Sequence, residues 1–109
     1  MAAQNGPVAR LRVENNSDEL LELILECYGS DHWLRPGETF VVWTVGSSEG
    51  DPWPGTTLGN EPFQVNYRPG SVTVHFNGRH GYVTDVAGNE IDCGHRRPTD
   101  APASPTTTR

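Results

Sequence analysis

The chain has 109 residues and a net charge of −6, and its eight basic residues are all arginine. That length provides for one domain, the acidic balance argues against a nucleic-acid partner, and the absence of lysine excludes Schiff-base chemistry and a Walker-type phosphate loop. No stretch approaches the ~18 apolar residues of a membrane span, and residues 1–7 lack the basic and apolar regions of a signal peptide, so a cytoplasmic protein away from membranes is expected, with Cys27 and Cys93 as free thiols.

Ala9, Leu11 and Val13 alternate with Arg10, Arg12 and Glu14, the period of a half-buried strand. Asn15, Asn16, Ser17 and Asp18 read as a turn, because these side chains bond nearby backbone and tolerate positive φ. Residues 19–28 fit two elements. Leu20, Leu21, Ile24, Leu25 and Tyr28 would line a helical face, with Ser17 as N-cap and Gly29 just past the end. As a strand, Leu21, Leu23, Leu25 and Cys27 point inward and Glu22 and Glu26 outward, with Ile24 the exception. The β character of the surroundings selects the strand.

Pro36-Gly37, Pro54-Gly55 and Pro69-Gly70 each supply what a type II turn requires, a preset φ followed by a positive one. Strands are predicted after the first and third, over residues 39–45 and 71–77. Val41 and Trp43 stand at the same distances from their Pro-Gly pair as Val74 and Phe76, a match that shared turn chemistry explains without an internal repeat. Phe63, Val65 and Tyr67 alternate with Gln64, Asn66 and Arg68 as another strand. Residues 81–84 and 90–93 flank Asp85-Val86-Ala87-Gly88, a turn with Gly88 left-handed. The expected fold is all-β: a small single-domain antiparallel β-sandwich, prealbumin- or immunoglobulin-like, over residues 8–97. Residues 98–109, rich in Pro and Thr and without a large apolar side chain, read as a disordered tail.

Signals for chemistry are sparse. Gly46-Ser47-Ser48-Glu49-Gly50 spells a nucleophile elbow, but Pro52 and Pro54 forbid the helix that must follow it. Among Cys27, His32, His75, His80, Cys93 and His95, only Cys93 and His95 stand at a metal-ligand spacing, and a second pair is missing. No metal and no other cofactor is expected; His80, Cys93 and His95 form the alternative metal set. The acids Asp31, Glu49, Asp51, Asp85 and Asp92 have no fixed separation and identify no glycosidase pair.

The loop over residues 46–61 is too long for a simple connection and holds Trp53 between two prolines that preset its backbone. Trp53 is either an exposed anchor for a partner or a cap folded back on an open end of the sandwich. Asp51, Arg79 and His80 join it as candidate binding residues. The expected function is a non-enzymatic binding module for an unknown protein or small ligand, using loops or a sheet edge. Self-association is open because edge strands invite pairing. The rival expectation is a small enzyme or metal protein using His80, Asp85, Cys93 and His95 at one end of the sandwich.

The order Val13-Glu-Asn-Asn-Ser17, residues 23–29, His32-Trp33-Leu34-Arg-Pro-Gly-Glu38 and Gly81-Tyr82-Val83-Thr84-Asp85 with Gly88-Asn89-Glu90 resembles a group of small uncharacterised proteins of high-GC actinobacteria. The resemblance spans residues 8–98 and implies no activity. The early asparagine turn, buried strand and Pro-Gly-Glu also resemble prealbumin-like sandwiches, which implies a strand over residues 19–28 and transfers no binding residue.

Overall fold

The computed structural model describes residues 6–54 and 61–98. Their strands are β1 (Val8–Glu14), β2 (Leu21–Glu26), β3 (Ser30–Leu34), β4 (Thr39–Val45), β5 (Phe63–Arg68), β6 (Ser71–Phe76) and β7 (His80–Asp85), and no helix occurs among the described residues. A three-stranded sheet in the order β1-β4-β7 faces a four-stranded sheet in the order β3-β2-β6-β5. The fold is the expected sandwich. Its core is the set of inward positions of both sheets: Leu23, Leu25, Leu34, Phe40, Val42, Val72, Val74, Phe76 and Val83, with Leu11 and Val13 packed against them.

Residues 21–26 do form a strand, but Cys27 lies beyond it and is exposed. Leu23, Ile24 and Leu25 are buried in succession, on both faces. A strand covered on both faces reads as a continuous apolar run rather than an alternation. β2 pairs antiparallel with β3 and parallel with β6, so one of the five strand pairings departs from the purely antiparallel expectation.

β3 was not among the expected strands. It follows β2 through a tight turn in which Gly29 has φ 71° and its N–H donates to the Leu25 carbonyl at 2.8 Å. Instead of a strand over residues 90–93, only Glu90 bridges Thr84 of β7, after which the chain crosses to β3. There Gly94 N–H donates to the Asp31 carbonyl at 2.6 Å and Trp33 N–H to the His95 carbonyl at 3.0 Å. One segment thus serves an edge of each sheet, which is why it forms no full strand of its own.

Gly37, Gly70 and Gly88 all have positive φ, as their turns require. Gly55, the rest of the long loop through residue 60, and residues 99–109 of the predicted tail lie outside the described residues. No helix among the described residues is long and apolar enough to cross a membrane.

Candidate binding face

The outer face of the three-stranded sheet concentrates the chemistry. Register aligns Arg10 of β1, Trp43 of β4 and Tyr82 of β7 in one row, and Arg12, Val41 and Thr84 in the next. The alternation of β1 sends Ala9, Leu11 and Val13 inward, so both arginines must face out. The Arg10 guanidinium sits over the Trp43 ring, 5.4 Å from its centroid. Trp43 and Tyr82 stack with centroids 5.9 Å apart and planes within 3°, and His80 continues the row on Tyr82 at 6.2 Å. Trp43 Nε1–H donates to Thr84 Oγ1 at 2.8 Å, which fixes the indole's orientation.

A groove of about 480 Å³ starts from the Arg10–Trp43 end of this row, lined by Arg10, Arg12, Val41 and Trp43 and walled by the turn from Asp85 to Gly88. Every described strand belongs to one of the two sheets, so no strand lies over this face. Asp85 is the wall's one carboxylate, and the turn itself engages it. Its Oδ1 accepts the N–H groups of Ala87 and Asn89, each at 2.9 Å, and its Oδ2 accepts from Asn89 Nδ2 at 3.1 Å. Those bonds, first of all with the Asn89 backbone, hold its pKa below the ordinary carboxylate value. The groove therefore offers two arginines, rooted about 7 Å apart along β1 by strand geometry, beside the Trp43 indole.

Comparisons with family models, curated proteins and solved structures find no match.

Of the residues expected to bind, His80 is exposed and ends the aromatic row. Trp53 is half-buried; its N–H bonds Asp51 Oδ1 at 3.0 Å and its ring reaches Gly46, where an added Cβ would stand 2.8 Å from Cζ3. Gly46 N–H in turn donates to the Pro7 carbonyl at 2.6 Å, and Arg79 Nε donates to the Gly46 carbonyl at 3.3 Å. Asp51, Trp53, Arg79 and His80 therefore share the end of the sandwich where β1 begins, β4 ends and β7 begins. Arg10, Arg12, Trp43 and Tyr82 were not singled out from the sequence. The signal present was Arg10 and Arg12 on the polar side of β1, which acquires meaning only once β4 is known as its neighbour.

The alternative metal set is dispersed. His80 stacks on Tyr82, His95 packs on Phe40 at 5.8 Å, and Cys93 Sγ donates to Asp31 Oδ1 at 3.5 Å. No three His, Cys, Asp or Glu side chains among the described residues are grouped to hold a metal ion.

Two further clusters lie at β3. Asp31, 2% exposed, accepts from Trp33 Nε1 at 2.9 Å and from the Arg97 guanidinium through both of its oxygens. The bond to Arg97, above all, holds the Asp31 carboxyl far below its ordinary range. On the opposite face His32, 3% exposed, places Nε2 3.0 Å from Ser30 Oγ, and its buried Nδ1 has no hydrogen-bond partner. Burial pushes the His32 pKa down. Asp31 projects from the other side of the strand and cannot orient this imidazole, so the Ser30–His32 contact lacks the third member that activates a serine nucleophile.

Proposed function

We propose that this chain is a non-enzymatic binding module that uses the outer face of its three-stranded sheet to hold an acidic partner segment. The observation that carries the reading is the Arg10–Trp43–Tyr82 row, a guanidinium over an indole that Tyr82 stacks against, with Arg10 and Trp43 lining an open groove. In a chain of net charge −6, two neighbouring arginines on one face are a local reversal of sign, which favours carboxylates over cations. Their spacing matches alternate residues of an extended strand, so a peptide with acidic residues at every second position places two carboxylates on the two guanidiniums. Intervening apolar or aromatic groups would lie on Trp43 and Tyr82, the kind of anchor that dominates binding energy. Residues 46–54, which include Trp53, follow Val45, the β4 partner of His80, at that end of the row.

A peptide of alternating Glu and Tyr serves as the probe, titrated by calorimetry and by tryptophan fluorescence. Binding should weaken about tenfold or more in Trp43→Ala and in Arg10→Ala, and should fall as salt is raised. Binding that ignores both substitutions, or that equals binding of an alternating Lys-Tyr peptide, would refute the reading.

A further inference from the structure

A strand at the end of a sheet leaves half of its backbone N–H and C=O groups without a partner in its own chain, and proteins guard such edges with charge, proline or a covering segment. Three of the four edges here are guarded. The free side of β3 is covered by residues 94–97, with His95 bridging His32. That of β7 is covered by residues 89–91: Asp85 N–H donates to the Asn89 carbonyl at 2.9 Å and Ile91 N–H to the Val83 carbonyl at 2.8 Å. β1 follows Pro7 and bears Arg10, Arg12 and Glu14.

Among the described residues β5 has no covering segment, and its proline and its charge stand only at its ends, Pro62 just before it and Arg68 as its last residue. It ends its sheet, has no charge before Arg68 and no proline within it. The four-stranded sheet is one strand wider than its partner, so the inner side of β5 is incompletely covered: Val65 is 46% and Tyr67 75% exposed. The ladder parity is fixed by Asn77 N–H, which donates to the Pro62 carbonyl at 2.8 Å. Pro62, Gln64, Asn66 and Arg68 thus turn their backbone groups toward β6, whereas Phe63, Val65 and Tyr67 turn theirs to the free edge.

The geometry points to a homodimer formed by antiparallel pairing of β5 with β5 of a second copy, with Val65 opposite itself. In that register Phe63 of each copy stands opposite Tyr67 of the other, and every outward N–H and C=O of Phe63, Val65 and Tyr67 meets its complement. The inner-side residues meet as aromatic and β-branched cross-strand pairs, the favourable kind. Arg68 falls opposite Pro62 and beside Glu61, so opposite charges close both ends. A shift by one residue would set Val65 against Asn66, mismatching both the hydrogen bonds and the faces. The strand is therefore self-complementary, which a two-fold interface requires.

The test uses the full chain in sedimentation equilibrium from low micromolar to about 1 mM, with amide exchange at both extremes. The dimer predicts that exchange at Phe63, Val65 and Tyr67 slows as concentration rises, while the amides of Gln64, Asn66 and Arg68 are protected throughout. Tyr67→Lys should weaken association about tenfold or more without altering the thermal midpoint of the dilute protein. Val65→Pro, which deletes an outward N–H and leaves the β6 ladder intact, should abolish association. Should Val65→Pro fail to fold, Tyr67→Lys and the exchange pattern still decide. A monomer at the highest concentration, or a dimer indifferent to β5 in exchange and in variant affinity, overturns the proposal.

Discussion

Asn15 is 1% exposed, yet each polar atom of its side chain is satisfied. Its Nδ2 donates to the carbonyls of Glu19 at 2.8 Å and Leu34 at 3.0 Å, and its Oδ1 accepts from the N–H and hydroxyl of Ser17. Asn15→Ala takes the buried Nδ2 donor from the Leu34 carbonyl, while the exposed Glu19 carbonyl keeps the Ser17 hydroxyl, and it should cost about 1–3 kcal/mol, read as a lower urea midpoint with an unchanged slope. Ser17→Ala, in an exposed setting, should cost no more than about 1 kcal/mol. The local half of this network was legible, because an asparagine turn bonds its own neighbourhood. The bond to Leu34 was not, since nothing near Asn15 in sequence announces β3. Trp43 shows the opposite limit. Phe40, Val41, Val42 and Trp43 are apolar in succession, so alternation cannot say which of them face the core. Only pairing with Arg10 and Tyr82 reveals that Val41 and Trp43 face out, while Val74 and Phe76, which the Pro-Gly alignment set beside them, face in.

The strands after Pro-Gly turns were readable to within a residue because the turn fixes where the strand begins: β4 starts at Thr39 and β6 at Ser71. β3 escaped notice because it is five residues long and mixes Asp31 and His32 into its buried positions. Its stability comes from a distant segment. Arg97 clamps the Asp31 carboxylate, with the guanidinium side chain 37% and the carboxylate 2% exposed. Arg97→Ala leaves a buried carboxylate without its counter-ion, whereas the exposed arm of the pair is weakened by solvent screening. It should lower the urea midpoint, by more than the loss of a surface pair and less than the loss of a fully buried one. Exchange at the amides of Trp33 and Gly94 should accelerate well before global unfolding, since the segment detaches as a unit. Equal exchange in wild type and variant would show that the segment stays docked without Arg97.

Across the whole molecule the buried titratable groups set the response to acid. Burial holds His32 below its ordinary 6.5, and Arg97 holds Asp31 below its ordinary 3.8. In both cases the unfolded chain binds the proton more readily, so stability is full above the unfolded pKa and declines as pH falls through it. Glu22 acts in the other sense. Burial, and then the neighbouring Asp31, raise it above 4.5, so its contribution is present at low pH and lost as pH rises. Urea titrations should therefore show stability declining in two stages on acidification, the first beginning near pH 6.5 and the second near 3.8. His32→Gln should remove the first stage and leave the second. A flat profile between pH 7.5 and 5 in the native protein would contradict the burial of a neutral His32. The sandwich itself was legible from alternation and turns. Its unequal widths were not, because the number of strands in each sheet depends on pairings such as β2 with β6 that join distant parts of the chain.

The segment that closes β3 is among the last of the described chain to be made. Synthesis delivers the N-terminal part first, at roughly 5–20 residues per second, so β3 leaves the ribosome several seconds before Arg97 does. During that interval its edge is open and an unfinished chain could pair with another. A carboxylate at the second position of β3 counters this, since charge on a bare edge discourages strand addition. In the finished fold the same carboxylate anchors the segment that covers this edge.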